Sequence, residues 1–228
     1  MIALELLGVS KVRGDGRMAV RALREVSLRV EPGELALLEG PSGSGKTTLL
    51  AVAAGLLRPD AGEVRIGGQA LPLDDVEARR RLRARSVGFV FQRSNLLPGL
   101  GALENVLVQA ALAGIEAGEA ERRARELLVA LGVAHLAGRL TGGLSAGEEQ
   151  RFAVARGLVH APLVVLADEP TASLDGTAGR SVVELLLALG RERGAGILVA
   201  THDHRLAPFA TRRLRLADGH LEAGSGAS

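Results

Sequence analysis

The run Leu37-Leu38-Glu39-Gly40-Pro41-Ser42-Gly43-Ser44-Gly45-Lys46-Thr47-Thr48-Leu49 constrains this chain more than any other stretch. An apolar strand runs into a glycine-rich loop, and the loop opens a helix. Residues 40–47 fit G-x-x-x-x-G-K-[ST], the Walker A pattern. Glycines let successive backbone N–H groups turn inward around phosphate oxygens, where a Cβ would block the approach. The free N–H groups and the dipole at the helix start favour the same negative charge. Lys46 then reaches the β- and γ-phosphates, and the Thr47 hydroxyl offers a ligand to Mg²⁺. The alternative is an ordinary strand–turn–helix connection rich in small residues, and the flanking strand and helix argue against it.

The rest of the chain supplies a scaffold for such a loop. Apolar and polar residues alternate over 2–7 and 25–30, as in half-buried strands, with a turn at Gly14-Asp15-Gly16 between them. A buried strand over 35–38 precedes the loop, and the helix after Gly45 runs to about Leu57, where Pro59 and Gly62 break it. A short strand over 64–66 ends in a Gly67-Gly68 turn. Residues 74–85 read as a helix carrying Arg79, Arg80, Arg81, Arg83 and Arg85. That face suits solvent, anionic headgroups or a partner better than nucleic acid. A strand over 87–91 delivers Gln92. Helical segments follow over 102–113, 119–131 and 145–160. Then come a continuous apolar strand over 163–167, a helix over 177–193, a buried strand over 197–200, and a last strand over 212–216 before the Asp218-Gly219 turn. The small-residue tail 223–228 is expected to fray. Strands alternating with helices imply a parallel sheet covered on both faces, with a helical insertion between Gln92 and Leu163.

Composition narrows the class. The 228 residues are 47% hydrophobic and 24% charged, which reads as a soluble globular chain with ample core. Aromatics are 2%, with no Tyr or Trp, so that core must be Leu, Val and Ala. No cysteine is present, which removes disulfides and thiolate metal sites. A formal charge of +2 is too balanced to imply nucleic-acid binding. No apolar run reaches membrane-spanning length, so any work at a membrane requires another chain to supply the span.

Two further sites carry chemistry. The strand over 163–167 ends in Asp168-Glu169, on the same sheet edge as the Walker A loop, where ligands of parallel sheets bind. Adjacent side chains at a strand end diverge. Asp168 is therefore assigned to Mg²⁺ and Glu169 to polarising an attacking water. Leu144-Ser145-Ala146-Gly147-Glu148 precedes a helix, and Ser145 with Glu148 also fits a capping box. A small-residue helix start of this kind is a second anion site.

With these residues in hand, the whole chain resembles an ATP-binding-cassette ATPase, the nucleotide-binding subunit of ABC transporters. The matching motifs stand in the family's order: GPSGSGKTT (Gly40 to Thr48), the Q-loop Gln92 in FVFQ, the signature LSAGE, Walker B in LVVLADE, the D-loop Ser173-Leu174-Asp175, and the switch histidine His202 in THD. The resemblance implies an α/β P-loop NTPase fold with a mainly parallel core sheet, a small antiparallel β subdomain and a helical insertion subdomain. Residues 1–92 and 162–222 would form the nucleotide-binding core and 93–161 the helical part facing a membrane partner. It implies ATP and Mg²⁺ as cofactors, with Thr47, Gln92 and Asp168 on the metal and Lys46, Glu169 and His202 catalytic. It also implies a head-to-tail dimer, homodimeric or with a sister subunit. There Leu144, Ser145, Ala146, Gly147, Glu148 and Asp175 of one subunit would cap ATP held by Walker A of the other. The chain would sit on the cytoplasmic face of the membrane, held by a permease. ADEPTASLD and FVFQRSNLLPGLGALENV look like the branch of lipoprotein-release, macrolide-efflux and cell-division ATPases.

Three departures from the family pattern bear on the site. Arg13 stands where an aromatic residue usually stacks on adenine, and a guanidinium plane can stack on a base too. Ala146 replaces the first signature glycine, adding a methyl near the facing γ-phosphate, and Glu148 replaces glutamine. Other classes remain. A soluble ABC ATPase of repair or translation would carry a long coiled coil or two cassettes, and only about fifty residues separate Gln92 from Leu144. A non-catalytic nucleotide switch would lack the retained Lys46, Glu169 and His202.

Overall fold

The strands, in chain order, are β1 (Leu4–Arg13), β2 (Val20–Val30), β3 (Leu35–Glu39), β4 (Ala61–Ile66), β5 (Gln69–Ala70), β6 (Val87–Val90), β7 (Val164–Asp168), β8 (Gly196–Ala200), β9 (Arg212–Ala217) and β10 (His220–Glu222). The helices are α1 (Lys46–Ala53), α2 (Val76–Ser86), α3 (Ala102–Ala113), α4 (Ala117–Ala130), α5 (Ala146–Leu158) and α6 (Gly176–Arg193). These come from a computed structural model that describes residues 2–222, so the tail expected at 223–228 lies outside the described residues.

Six strands form the main sheet in the order β10-β9-β3-β8-β7-β6, parallel except for the β9–β10 hairpin. Its inner strands bury both faces, which is why they read as unbroken apolar runs. Leu35, Leu37, Val165, Ala167, Ile197 and Val199 point to one side, where Phe152 of α5 and Val182, Val183 and Leu186 of α6 pack. Ala36, Leu38, Val164, Leu166, Leu198 and Ala200 point to the other, against Leu49, Leu50 and Ala53 of α1. A second, antiparallel sheet β2-β1-β4-β5 closes that side with Leu4, Leu6, Leu23, Leu28, Val64 and Ile66. Helices α3, α4 and α5 pack together beyond the first face through Val106, Ala110, Ala124 and Leu128.

The observed β1 and β2 are longer than the runs 2–7 and 25–30 that alternation picks out. The cause is bulging. Pairing of the two strands shifts register between Leu6 and Val9 and again before Lys11, with Gly8 at φ 58° and Glu25 at φ 51°. Each bulge adds a residue and breaks the period of two. The backbone N–H groups it displaces are taken by side chains: Gly8 N–H donates to Ser27 Oγ and Glu25 N–H to Ser10 Oγ. Helix α1 ends at Ala53, short of Leu57, because the chain turns at Ala54-Gly55 with Gly55 at φ 67°. Strands β5 and β10 are two and three residues long, too short for periodicity to register.

One core residue ties stability to pH. His160, just beyond α5, is 6% exposed, and its Nε2 lies 3.0 Å from the Val87 carbonyl oxygen. A carbonyl only accepts, so Nε2 carries the proton, while Nδ1 is buried without a partner. Burial lowers the ring's pKa from 6.5 to about 4, against the opposing pull of the carbonyl. The unfolded chain therefore binds the extra proton first. Stability is complete above pH 6.5, falls as pH drops from 6.5 towards 4, and levels off below that. The slope amounts to on the order of 3 kcal/mol over the window, at about 1.4 kcal/mol per pH unit. Denaturant titrations of wild type and His160→Gln between pH 4 and 7 check this; the variant, which keeps a donor for Val87, is expected to lose this part of the slope.

Candidate functional site

Strand β3 delivers the phosphate-type loop to the carboxyl edge of the sheet, and α1 starts at Lys46. The glycines of the loop divide by task. Gly40, at φ 150°, runs so close to β9 that a Cβ would collide with the Leu216 carbonyl oxygen. Gly45, at φ 107°, presses on the Ala22 carbonyl of β2 in the same way. Gly43, at φ 80°, has nothing within 4 Å of a built Cβ and faces open space. Packing against its own chain thus explains Gly40 and Gly45, where the sequence suggested ligand approach throughout. Ser44 turns inward, 4% exposed, with its Oγ buried and unpartnered. The Lys46 ammonium donates to the carbonyls of Gly40 (2.6 Å) and Pro41 (3.0 Å), which holds it over the loop.

A pocket of about 450 Å³ opens here. It is lined by Arg13, Ser42, Gly43, Gly45, Lys46, Thr47, Thr48, Gln92, Asp168, Glu169 and His202, together with Val20 and Ala22. Side chains from the ends of β1, β6, β7 and β8 therefore meet the loop and the first turn of α1 in one place. Thr47 Oγ1 donates to Asp168 Oδ2 at 2.7 Å, and Asp168 is 6% exposed. The divergence of Asp168 and Glu169 is stronger than strand alternation gives, because Glu169 adopts φ 47°. Its carboxylate turns to β8's exit, accepting from Thr201 Oγ1 (2.9 Å) and from the His202 backbone N–H (3.0 Å to Oε1). The His202 Nε2 stands 3.9 Å from Glu169 Oε1.

The signature residues lie elsewhere. Ser145 caps α5, and its N–H and Oγ both donate to Glu148 Oε2, at 2.7 and 2.8 Å. Those bonds, the backbone one first, hold the Glu148 carboxyl below the usual carboxylate range. Ala146 lines a separate cleft of about 730 Å³ with Gln92, Gln150 and Ser173. A Cβ on Gly147 would come within 3.2 Å of the Ser173 carbonyl, tight enough to explain a glycine there. Asp175 caps α6 by accepting from Ala178 N–H. Of the predicted set, Gly40, Pro41 and Ser44 belong to the loop without lining its pocket; Leu144, Ser145, Ala146, Gly147, Glu148 and Asp175 lie away from it, and Gln92 borders both cavities.

Sequence reasoning passed over four polar residues that brace the site. Gln150 is buried and its Nε2 donates to the carbonyls of Phe91 (3.1 Å) and Pro170 (3.4 Å), tying the exits of β6 and β7 to α5. Thr171, Thr201 and Asp203 form the second brace, around Glu169. A hydroxyl directly after a buried apolar strand, as at Thr201, was the available signal.

No helix among the described residues is long and apolar enough to cross a membrane. Among the described residues there is also no group of three or more His, Cys, Asp or Glu side chains placed to hold a metal.

Comparison with known proteins gives concordant findings. A family model described as "ABC transporter" matches residues 23–172. The lipoprotein-releasing system ATP-binding protein LolD of Maricaulis maris is 49% identical over 221 residues, covering 97% of this chain and 96% of the relative. The macrolide export ATP-binding/permease protein MacB of Marinobacter nauticus is 40% identical, over 98% of this chain but only 35% of that longer protein. Among solved structures, the dimeric ATP-binding cassette MJ0796 in a post-hydrolysis state with ADP and Pi superposes with a TM-score of 0.91 at 36% identity, covering 98% of each chain.

Proposed function

This chain belongs to the ABC transporter family, and from that membership we propose that it is the ATP-hydrolysing subunit of a membrane complex of the lipoprotein-release type, working as a head-to-tail dimer on a separate permease. One observation carries the dimer. The chain builds two phosphate-suited helix starts, at α1 and α5, and they open into different cavities. A site that uses both therefore takes one from each of two copies.

On this reading the loop N–H groups and Lys46 bind the triphosphate, with Gly40, Pro41, Ser42, Gly43, Ser44, Gly45 and Thr48 shaping the cradle. Thr47 Oγ1 and Asp168 Oδ2, two oxygen donors 2.7 Å apart, suit a hard cation, with Gln92 on the same wall. Mg²⁺ bound there would supply charge neutralisation at the transferring phosphoryl group. Glu169 orients and takes a proton from the attacking water, and His202 contacts the γ-phosphate. Arg13 stacks on the base. The other copy's Leu144, Ser145, Ala146, Gly147, Glu148 and Asp175 complete the enclosure.

Residues 1–92 and 162–222 then act as the nucleotide-binding core, and 93–161 as the arm that meets the permease. A groove of about 600 Å³ between α2, β6 and α3 supports this, with exposed Leu56, Leu97 and Leu112. Tagged chain expressed in its own cells is expected in the membrane fraction with an integral membrane protein, and Leu112→Asp is expected to release it while purified ATPase activity persists. A chain that hydrolyses ATP yet stays wholly in the soluble fraction with no membrane partner would favour the soluble ABC ATPase reading instead.

A further inference from the structure

The parallel pairing of β7 with β8 ends at Asp168 and Ala200, but the two exits stay joined for several residues more. Glu169 N–H still donates to the Ala200 carbonyl at 2.8 Å. Side chains then continue the ladder. Thr201 Oγ1 bonds Glu169 Oε2 at 2.9 Å, and Thr171 Oγ1 bonds Asp203 Oδ2 at 2.6 Å. Both threonines are buried, at 3% and 1% exposure.

The direction of the inner bond is forced. Thr201 Oγ1 also receives the Asp203 backbone N–H at 2.9 Å. A hydroxyl has one hydrogen, and a backbone N–H can only donate, so the Thr201 hydrogen is left for the Glu169 carboxylate. The outer bond keeps the frame rigid. Asp203 accepts from Arg205 through its N–H, Nε and Nη2 as well as from Thr171, and Arg205 Nη1 reaches the Asp175 carbonyl at the start of α6. The Arg205 guanidinium, ahead of the Thr171 hydroxyl, brings the Asp203 carboxyl down to about 2, so it stays a charged anchor at any working pH.

We propose that Thr201 is the positioning residue for Glu169. Its hydroxyl aims the carboxylate, with the Asp203–Thr171–Arg205 clamp holding the β8 exit in register. With Oε2 taken by Thr201 and the His202 N–H shared across the carboxylate, rotation of Glu169 about its last side-chain bond costs a hydrogen bond. The remaining acceptor capacity of Oε1 is thereby kept turned to the pocket. This rests on Glu169 being the group that polarises the attacking water.

The test uses the purified full chain with Mg²⁺ and ATP. Thr201→Val keeps the shape and removes the hydroxyl; Thr201→Ser keeps the hydroxyl. Thr201→Val is expected to lower kcat about 10- to 100-fold, as for a group that orients a general base, with ATP affinity within about twofold of wild type. Thr201→Ser is expected to recover the rate to within about threefold. In a Glu169→Gln background, Thr201→Val is expected to change the residual single-turnover rate little, since the two would act through one carboxylate. A crystal structure of Thr201→Val is expected to show Glu169 turned away from its wild-type position. A wild-type rate in Thr201→Val, a serine variant as slow as the valine one, or a full-size effect in the Glu169→Gln background would each overturn the proposal. Should Thr201→Val fail to fold, Thr171→Val in the outer clamp is expected to give a smaller kcat loss at unchanged ATP affinity, and no loss would overturn it too. If Glu169→Gln itself keeps full turnover, it is the role of Glu169 that fails, and the two failures are thereby told apart.

Discussion

Glu169→Gln is expected to bind ATP with near wild-type affinity while turnover falls on the order of 10²- to 10⁴-fold, the usual worth of a general base. The geometry favours a near-isosteric substitution. Glu169 Oε2 lies 2.9 Å from Thr201 Oγ1 and 3.3 Å from the His202 N–H. A glutamine oxygen in that place keeps the Thr201 bond and the longer His202 contact, and the amide NH₂ takes the position of Oε1 at the cost of the 3.0 Å bond from the His202 N–H. The side chain therefore keeps its place but presents a donor where a proton acceptor is required. Nothing in the loop, in Lys46 or in the Thr47–Asp168 pair is disturbed. Uncleaved ATP should then accumulate in the closed assembly, so the variant is expected to double in mass on adding Mg²⁺ and ATP. Light scattering with and without nucleotide measures it. A monomer in both conditions would count against a site shared between two copies.

The shape of that site was legible to different depths along the chain. Walker A, Asp168 and Glu169 could be read because a buried strand, a glycine loop and a terminal carboxylate each leave a local mark, and the parallel-sheet rule places their ends on one edge. The helices over 102–113 and 177–193 were readable to within a residue or so, since their ends carry Gly114 and Gly194 in left-handed conformations. The antiparallel sheet was harder. Bulges at Gly8 and Glu25 cut the alternation that identifies a strand, and the pairing of β1 with β2 across them reveals that both halves belong to one element.

What the sequence could not show is the bracing. Thr201, Thr171, Asp203 and Gln150 act across 20 to 59 positions of chain, and no spacing rule links a threonine to a carboxylate on another strand. The tasks of the glycines were likewise hidden. That Gly40 yields to Leu216 and Gly45 to Ala22 depends on how β9 and β2 pack against the loop, which no local pattern shows. The signature segment reads equally well as a capping box or as an anion site, and in one chain it is visibly the former, with Ser145 and Glu148 bonded to each other. Its second task would need a facing nucleotide.

Lys46→Ala is expected to remove ATP hydrolysis to background and to weaken ATP binding by at least about a hundredfold. Two terms act together. The ammonium is the one cation that the loop itself contributes to the pocket, with Arg13 reaching it from β1. Charge-assisted hydrogen bonds of this kind contribute about 1.5–3 kcal/mol each, and the lysine can make more than one to the β- and γ-phosphates. The second term is the loop's own shape. Lys46 donates to the Gly40 and Pro41 carbonyls, and without it the turn after β3 loses the side chain that closes it. Lys46→Arg separates the terms, because it keeps the charge but carries a longer, planar group that does not fit the same two carbonyls. If charge dominates, arginine recovers much of the ATP affinity; if loop shape dominates, arginine is nearly as weak as alanine. Equilibrium binding of a fluorescent ATP analogue and phosphate release, measured on all three proteins, resolve the two. Alanine is expected to leave the thermal midpoint nearly unchanged, since the core that packs β3 and α1 through Leu37, Leu38, Leu49 and Leu50 does not include the lysine. Phosphate release at the wild-type rate from Lys46→Ala would remove this loop from the reaction altogether.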